Sequence, residues 1–477
     1  MEIMSSADFL YQKMTELLGL EPTECQKDMF RTLSDFVHSD PLNDWLLVVS
    51  GYAGTGKTSA LAAFIKVLKR SRKKYVLLAP TGRSAKVLSN FTGEKASTIH
   101  KHIYRQKSLD GSKGSFTLDF NKASDTIYIV DEVSLINIGL DSDSIFGSGN
   151  TLEDLVQYVR NNPSNRLILT GDPAQLPPIG LDESPALDLD YLREYCPNVK
   201  SVYLRDVVRQ SSHSGILVNA TALREEIEGG DISAPHFSLK QYDDIQAITG
   251  AELIEELSSA IDKYGEEEVV VLCRSNLRAN KYNEGIRAQV LYREERLQKG
   301  DRVMVVKNCY QFEGDKEELN FIANGDVATL KKISNYEERY GLQFASARLV
   351  FEDYSEAEVT AKIILDTLSS QSASLDREQQ NALFEGVSED YSHLKTKRKR
   401  YEAVREDPYF NALQIKYSMA ITGHKSQGGQ WKCVFIDNIL WRDEITLDDK
   451  KWLYTAITRG VDKVFLVNFP KKFLDDE

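Results

Sequence analysis

The sequence predicts an α/β protein with two strand-and-helix halves, each built on a parallel sheet, and with β-rich material let into the second half. Three observations carry this reading. Short apolar runs of strand length alternate with amphipathic stretches, at 45–49, 127–130 and 166–170 and again at 269–273, 433–437 and 464–467. A glycine-rich loop joins the first of these runs directly to a helix-patterned segment. The stretch 301–350 carries strand signals around an Asn324-Gly325 turn.

A chain of 477 residues has room for roughly two to four domains. Its 42% hydrophobic and 27% charged content is that of an ordinary globular protein. No apolar run approaches the roughly 18 residues of a membrane span, so no membrane partner is expected. The opening residues lack the basic-then-apolar layout of a leader. Five scattered cysteines, none in a close pair, argue against a zinc ribbon or a disulfide framework and lead us to expect a cytoplasmic protein. The net charge of −13 speaks against a uniformly basic nucleic-acid binder.

The first apolar run leads into GYAGTGKT, residues 51–58, which satisfies G-x-x-x-x-G-K-[ST]. Leu61, Phe64, Ile65 and Leu68 then recur at helical spacing, so a helix begins near Lys57. Such a loop can wrap its backbone around phosphates: Gly51, Ala53, Gly54, Thr55 and Gly56 form the cradle at a helix N-terminus. Lys57 would neutralise the outer phosphates, and the Thr58 hydroxyl would hold magnesium.

The run 127–130 ends in Asp131-Glu132. A strand-end aspartate can bind the same metal while its neighbour polarises water. Such a pair is often only solvated surface; a phosphate loop in the same chain favours the chemical reading. The run 166–170 enters GDPAQLPP, a proline-stiffened loop whose Gln175 is placed to sense a terminal phosphate. Guanine-reading N-K-x-D is absent, so a GTPase is not expected. The second half has no phosphate loop, but it offers Arg209 and Arg459 as cations for the transferring phosphoryl group.

Taken in order, these motifs resemble those of superfamily 1 helicases of the B subgroup, RecD-like and phage Dda-like, over most of the chain. Glu24-Cys25-Gln26 is similar to the adenine-reading glutamine motif. APTGRSAK (79–86) and ASTIH (96–100) resemble two strand-contacting motifs. DEVS (131–134), GDPAQLPP (171–178), Arg209-Gln210, TGHKSQG (422–428) and YTAITRG (454–460) follow in the family's order. The resemblance implies two RecA-like domains, over 1–198 and over 199–300 with 416–477. It implies a hairpin insert at about 103–124. It also implies an SH3-like β-barrel insert at 301–415 with a helical extension at about 370–406. By the same resemblance, Gln26 reads adenine and Gln175, Arg209 and Arg459 surround the terminal phosphate. Thr81, His100, His424 and Ser426 would lie along single-stranded DNA. Phe116 or Phe120 of the hairpin would wedge against the first base pair at a junction, although either could simply anchor the hairpin.

The implied activity is ATP-dependent 5′-to-3′ translocation and unwinding by a monomer, in DNA repair or recombination. Two other readings stay open: a subunit of a nuclease complex, akin to the alpha chain of exodeoxyribonuclease V, and a nucleic-acid-stimulated ATPase that does not unwind. The residues do not choose between DNA and RNA. Lys86, Lys101, Arg105, Lys425 and the run 395–400 are the expected local cations. The polar stretch 137–150 is longer than its connection needs, and no role follows from its sequence.

Overall fold

The computed structural model describes residues 6–106, 116–139, 147–207, 213–309, 312–314, 319, 322–354, 356–442 and 444–475. The first sheet has six parallel strands in the order Ala96–Thr98, Lys74–Ala79, Thr126–Val130, Arg166–Gly171, Leu46–Gly51, Lys200–Leu204. Leu47 and Val49 face the helices Glu24–His38 and Lys57–Arg70, where Met29, Phe30, Leu33, Leu61, Phe64 and Leu68 are buried. Leu46 and Val48 face the opposite layer, which includes Leu152, Leu155 and Val159 of the helix Thr151–Arg160. A strand covered on both sides must be apolar at every position, which is why these runs show no alternation.

The strand Lys200–Leu204 lies beyond the division expected at 198/199. It pairs in parallel with the phosphate-loop strand, so the first sheet continues to Leu204. As an edge strand it is only partly covered, and its KSVYL sequence gives no continuous apolar signal.

The second sheet is also parallel, in the order Ala420–Thr422, Val269–Cys273, Trp431–Asp437, Gly460–Val467, Ile245–Ile248. One face packs on the helices Gly215–Glu228 and Leu447–Ile457, the other on Leu253–Tyr264 and Asn276–Gln289. The first of these cores also takes in Tyr52, Ala174 and Leu176 from the loops of the first sheet, so the two halves share buried apolar surface.

Residues 302–417 supply the third sheet. The strands Arg302–Val305, Val327–Arg339, Leu342–Phe351, Ala357–Ile364 and Leu413–Tyr417 close on themselves, because the last pairs with both the first and the fourth. The helices Arg377–Asp390 and Lys397–Glu406 extend from this barrel and pack over Leu342 and Phe344. The short pair Tyr104–Gln106 and Phe116–Leu118 forms a separate antiparallel ribbon. Residues 107–115 of the expected hairpin insert fall outside the described residues. Of the stretch 137–150, the described ends meet in an Ile138–Asn150 bridge, and Asn150 caps the helix Thr151–Arg160.

A buried ion cluster fixes the barrel to the second sheet. Asp301 receives two hydrogen bonds from Arg287, at 3.1 and 2.8 Å, and one from Arg293 at 3.1 Å. Asp301 is 1% exposed, and Arg287 also stacks on Tyr417 of the closing strand. Removing one member of such a cluster leaves the other charge stranded. Asp301→Ala is therefore expected to cost about 3–5 kcal/mol of stability, read as a fall in the urea unfolding midpoint.

Candidate functional site

The loop 51–56 leaves the carboxyl end of the strand Leu46–Gly51. Gly54 and Gly56 take φ of +75° and +71°, in the left-handed region open to glycine. A Cβ on Gly54 would also come within 2.9 Å of Leu217, so the position is closed to side chains on two counts. Gly56 is the N-cap of the helix Lys57–Arg70 and brings no side-chain cap. The leading N–H groups of that helix are thus left for an external acceptor, and the macrodipole favours an anion there. The Lys57 ammonium reaches back across the loop to the Gly51 carbonyl at 3.1 Å. Thr55 ties its hydroxyl to the Tyr52 carbonyl at 2.8 Å.

Asp131 and Glu132 follow the strand Thr126–Val130. Burial pushes the Asp131 carboxyl up to about 6, with repulsion from Glu132 adding and attraction to Lys57 opposing. A bound cation would reverse that balance. Glu132 sits at φ +56°, a conformation that non-glycine residues rarely hold without a reason. Its Oε2 is buried without a hydrogen-bond partner, as are Gln175 Oε1 and Ser134 Oγ. Each such orphan costs about 1–3 kcal/mol. Unsatisfied acceptors, raised carboxylate and free helix N-terminus fit the donor and acceptor pattern of a nucleotide with a divalent cation. Thr58 follows Lys57 at the start of the helix, and Asp131 lies close enough to Lys57 to feel its charge.

The second half reaches into this loop with a phenol. The Tyr454 hydroxyl accepts from the Ala53 N–H at 2.8 Å and donates to Asp172 Oδ2 at 2.6 Å. Tyr454 is fully buried, and burial beside Asp172 raises its pKa well above the ordinary tyrosine value, so the phenol stays protonated. Two further bonds grip the same loop. Leu176 donates its N–H to Thr455 Oγ1 at 3.0 Å and accepts from Gln427 Nε2 at 2.5 Å. Tyr454, Thr455, Gln427 and Asp172 all lie in motifs visible in the sequence, yet none was singled out. Their signal was the motif itself, and their partners, 279 and 282 residues away for Leu176–Thr455 and Asp172–Tyr454, were not legible.

Several predicted residues sit differently from expectation. Gln26 completes a capping box with Thr23 and donates Nε2 to the Thr55 carbonyl at 3.1 Å, so its amide braces the phosphate loop. Arg459 is 3% exposed and spends its donors on the Thr455 carbonyl, the Gly429 carbonyl and Thr458 Oγ1, at 3.1 to 3.2 Å. A phosphate contact would need those bonds exchanged. Ser426 is fully buried with its hydroxyl on the Gly423 carbonyl at 2.7 Å, which removes it from a strand-contacting surface. Arg209 and the side chain of Phe116 lie outside the described residues; Phe120 is exposed.

Thr81 caps the helix Gly82–Thr92 and contacts Ser84, and Gly428 lies against both. Burial lowers the His100 ring to about 4 and lowers His424 as well, so both act as neutral groups. The expected cations are largely spoken for: Lys86 pairs with Asp353 at 3.0 Å and Arg105 with Asp119 at 3.4 Å, and Lys101 is also engaged. Burial and Lys416 bring Lys425 down to about 8.

The barrel touches the helix Gly82–Thr92 here. A Cβ on Gly82 would come within 2.5 Å of the Tyr354 hydroxyl, which donates to Asp326 at 2.9 Å. Burial and nearby Asp353 push the Asp326 carboxyl up to about 7, against the opposing bonds from Ala323 and Tyr354.

Two family models match the chain: an AAA domain over residues 32–251 and a UvrD-like helicase C-terminal domain over 417–467. The ATP-dependent RecD2 DNA helicase of Deinococcus radiodurans is 25% identical over 431 residues, covering 88% of this chain and 46% of that protein. The chain thus spans about half the length of the curated relative. Among solved structures, Pif1 helicase from Candida albicans aligns at 15% identity and a TM-score of 0.46 over 95% of this chain and 96% of that one. Bacteroides Pif1 helicase in complex with ADP-AlF3 and ssDNA aligns at 14% and 0.44 over 96% and 95%.

Two outcomes are expected. Tyr454→Phe keeps the ring but strips the hydroxyl from Ala53 and Asp172. Steady-state nucleotide turnover should then fall by about ten- to a hundredfold, the worth of a hydrogen bond to a charged group. Asp326 binds its proton more tightly folded than unfolded, where a carboxyl titrates near ~4. Stability should therefore decline as pH rises through about 4 to 7, and Asp326→Asn should flatten that part of a thermal-midpoint-against-pH curve.

Proposed function

We propose that the chain is a superfamily 1 helicase of the RecD-like, Dda-like B subgroup, an ATP-driven motor on single-stranded DNA that separates duplexes at a junction; the AAA and UvrD-like helicase matches and the RecD2 relative support this reading. The observation that carries this reading is the Tyr454 bridge. One hydroxyl from the second sheet's helix holds the phosphate loop through Ala53 and the adjoining loop through Asp172. A nucleotide seated on residues 51–58 therefore lies at the junction between halves, where its state biases their separation.

The roles assigned by this reading follow the geometry. Lys57 and the helix N-terminus hold phosphates, while Asp131 and Thr58 hold magnesium. Glu132, with its unpartnered Oε2, accepts a proton from attacking water, and Gln175 orients it. Arg459 exchanges its present carbonyl partners for the terminal phosphate as the halves close. The first sheet through Leu204, the second sheet and the barrel are the three moving parts. Movement 5′ to 3′, action as a monomer, a cytoplasmic setting and a place in repair or recombination belong to the same proposal.

The test is strand displacement on two matched DNA duplexes, one with a 5′ and one with a 3′ single-stranded tail, with magnesium-ATP. The 5′-tailed duplex alone should be opened, and Lys57→Ala should abolish opening. Glu132→Gln should bind ATP and fail to turn it over. Opening of the 3′-tailed duplex alone would overturn the direction. DNA-stimulated hydrolysis without opening would favour an ATPase that does not unwind, or one that needs a nuclease partner. Stronger stimulation by RNA would move the substrate class.

A further inference from the structure

The carboxyl edge of the second sheet ends in a row of side chains that the roles above leave unused. Three adjacent strands finish there: Ala420–Thr422 into His424, Val269–Cys273 into Arg274, and Trp431–Asp437 into the loop 438–446. Arg274 pairs with Asp448 and Asp449, and His424 feels both Arg274 and Asp448, so these strand ends form one neighbourhood. The loop after the third of these strands carries Trp441, 67% exposed. The other three tryptophans are at most 5% exposed.

The loop holds this ring outward rather than leaving it loose. Leu440 and Ile445 on either side are buried in the core, and Leu440 donates its N–H to Asn438 Oδ1 at 2.9 Å. Arg442, next to the ring, is exposed and makes no ion pair among the described residues. Lys451, one turn into the following helix, donates to the Asp182 carbonyl at 2.8 Å. That bond brings the loop's helix against the first sheet's proline loop, where Ile179 is 75% exposed. An open parallel sheet binds its ligands at this edge, and an exposed indole held rigid offers a flat face to another flat group.

We propose that Trp441 is a base-stacking platform for the single strand, with Arg442 beside it; this rests on the DNA-motor reading. Charge favours stacking over phosphate clamping here. The chain carries −13, and Asp448, Asp449 and Glu444 lie close by in sequence on this same edge. A base presents a π-face whatever its sequence and needs no counterion release to bind.

The test uses the full-length protein and an end-labelled oligo-dT. Anisotropy of the label reports binding, and tryptophan emission reports the ring. Binding should quench emission in the unaltered protein. Trp441→Phe should lose the quench and keep affinity within about threefold, since a smaller ring still stacks. Trp441→Ala should weaken affinity by about tenfold with the salt slope unchanged, because phosphate contacts are untouched. A quench that survives in Trp441→Phe, an unchanged affinity in Trp441→Ala, or a loss of affinity with a changed salt slope would each overturn the platform. Failure of the unaltered protein to bind the oligonucleotide would overturn the single-strand reading itself and this site with it.

Discussion

The Tyr454 hydroxyl is the interaction on which the rest of the arrangement depends. It accepts from the backbone of the phosphate loop and donates to the Asp172 carboxylate, so one buried phenol joins two loops of the first sheet to a helix of the second. The Leu176 bonds to Thr455 and Gln427 add two more contacts of the same kind. No ion pair bridges these loops among the residues described. Neutral hydrogen bonds are worth about 0.5–1.5 kcal/mol each and one to a carboxylate about 1.5–3 kcal/mol, so a few of them bias a closed state without locking it. A charged bridge would have to be desolvated and resolvated at every opening. On the proposed reading, the cleft opens and closes on hydrogen bonds rather than ion pairs, with the nucleotide supplying further charge.

The acceptors facing that cleft are held in an unsatisfied state. Glu132 combines a left-handed backbone with an orphan oxygen, and Gln175 is 95% covered with its carbonyl oxygen unpaired. Such positions survive because the two sheets around them over-determine the backbone. Arg459 shows the opposite condition, a buried cation with Nε, Nη1 and Nη2 each donating to an acceptor of its own half. The two conditions are complementary. Acceptors without donors on one side of a junction and a donor committed elsewhere on the other describe a site whose bonding partners change with the distance between halves.

Much of this was legible in the chain. The two-sided apolar runs at 46–51 and 269–273 can only be strands covered on both faces, and GYAGTGKT states its own backbone requirement through Gly54 and Gly56. What was not legible depends on how the halves meet. YTAITRG drew the eye to its arginine, while the geometry gives the cross-half contact to its tyrosine, 401 residues from Ala53. Ser426 looked like a surface residue because nothing in a four-residue helix tells which face is covered. Lys200–Leu204 was assigned to the wrong half because an edge strand needs an apolar pattern on one side only.

The charge distribution follows the same logic as the hydrogen bonds. An acidic chain that travelled on phosphates would need a track of free cations. Lys86 and Arg105 are instead paired, and Lys425 is stripped of water so that its ammonium is held near its titration point. Lys397 and Lys399, which make no ion pair among the described residues, stand in the first turn of the helix Lys397–Glu406, where the helix dipole disfavours them. Each phosphate gripped is a bond that must be broken at every step, and its strength rises as salt falls. On the proposed reading, neutral histidines, a helix-capping threonine and an aromatic face would hold a strand with interactions that are individually small and little affected by ionic strength. A motor of the proposed kind, built this way, would give up tightness in exchange for easy release, and a net charge of −13 is then compatible with a single-stranded track.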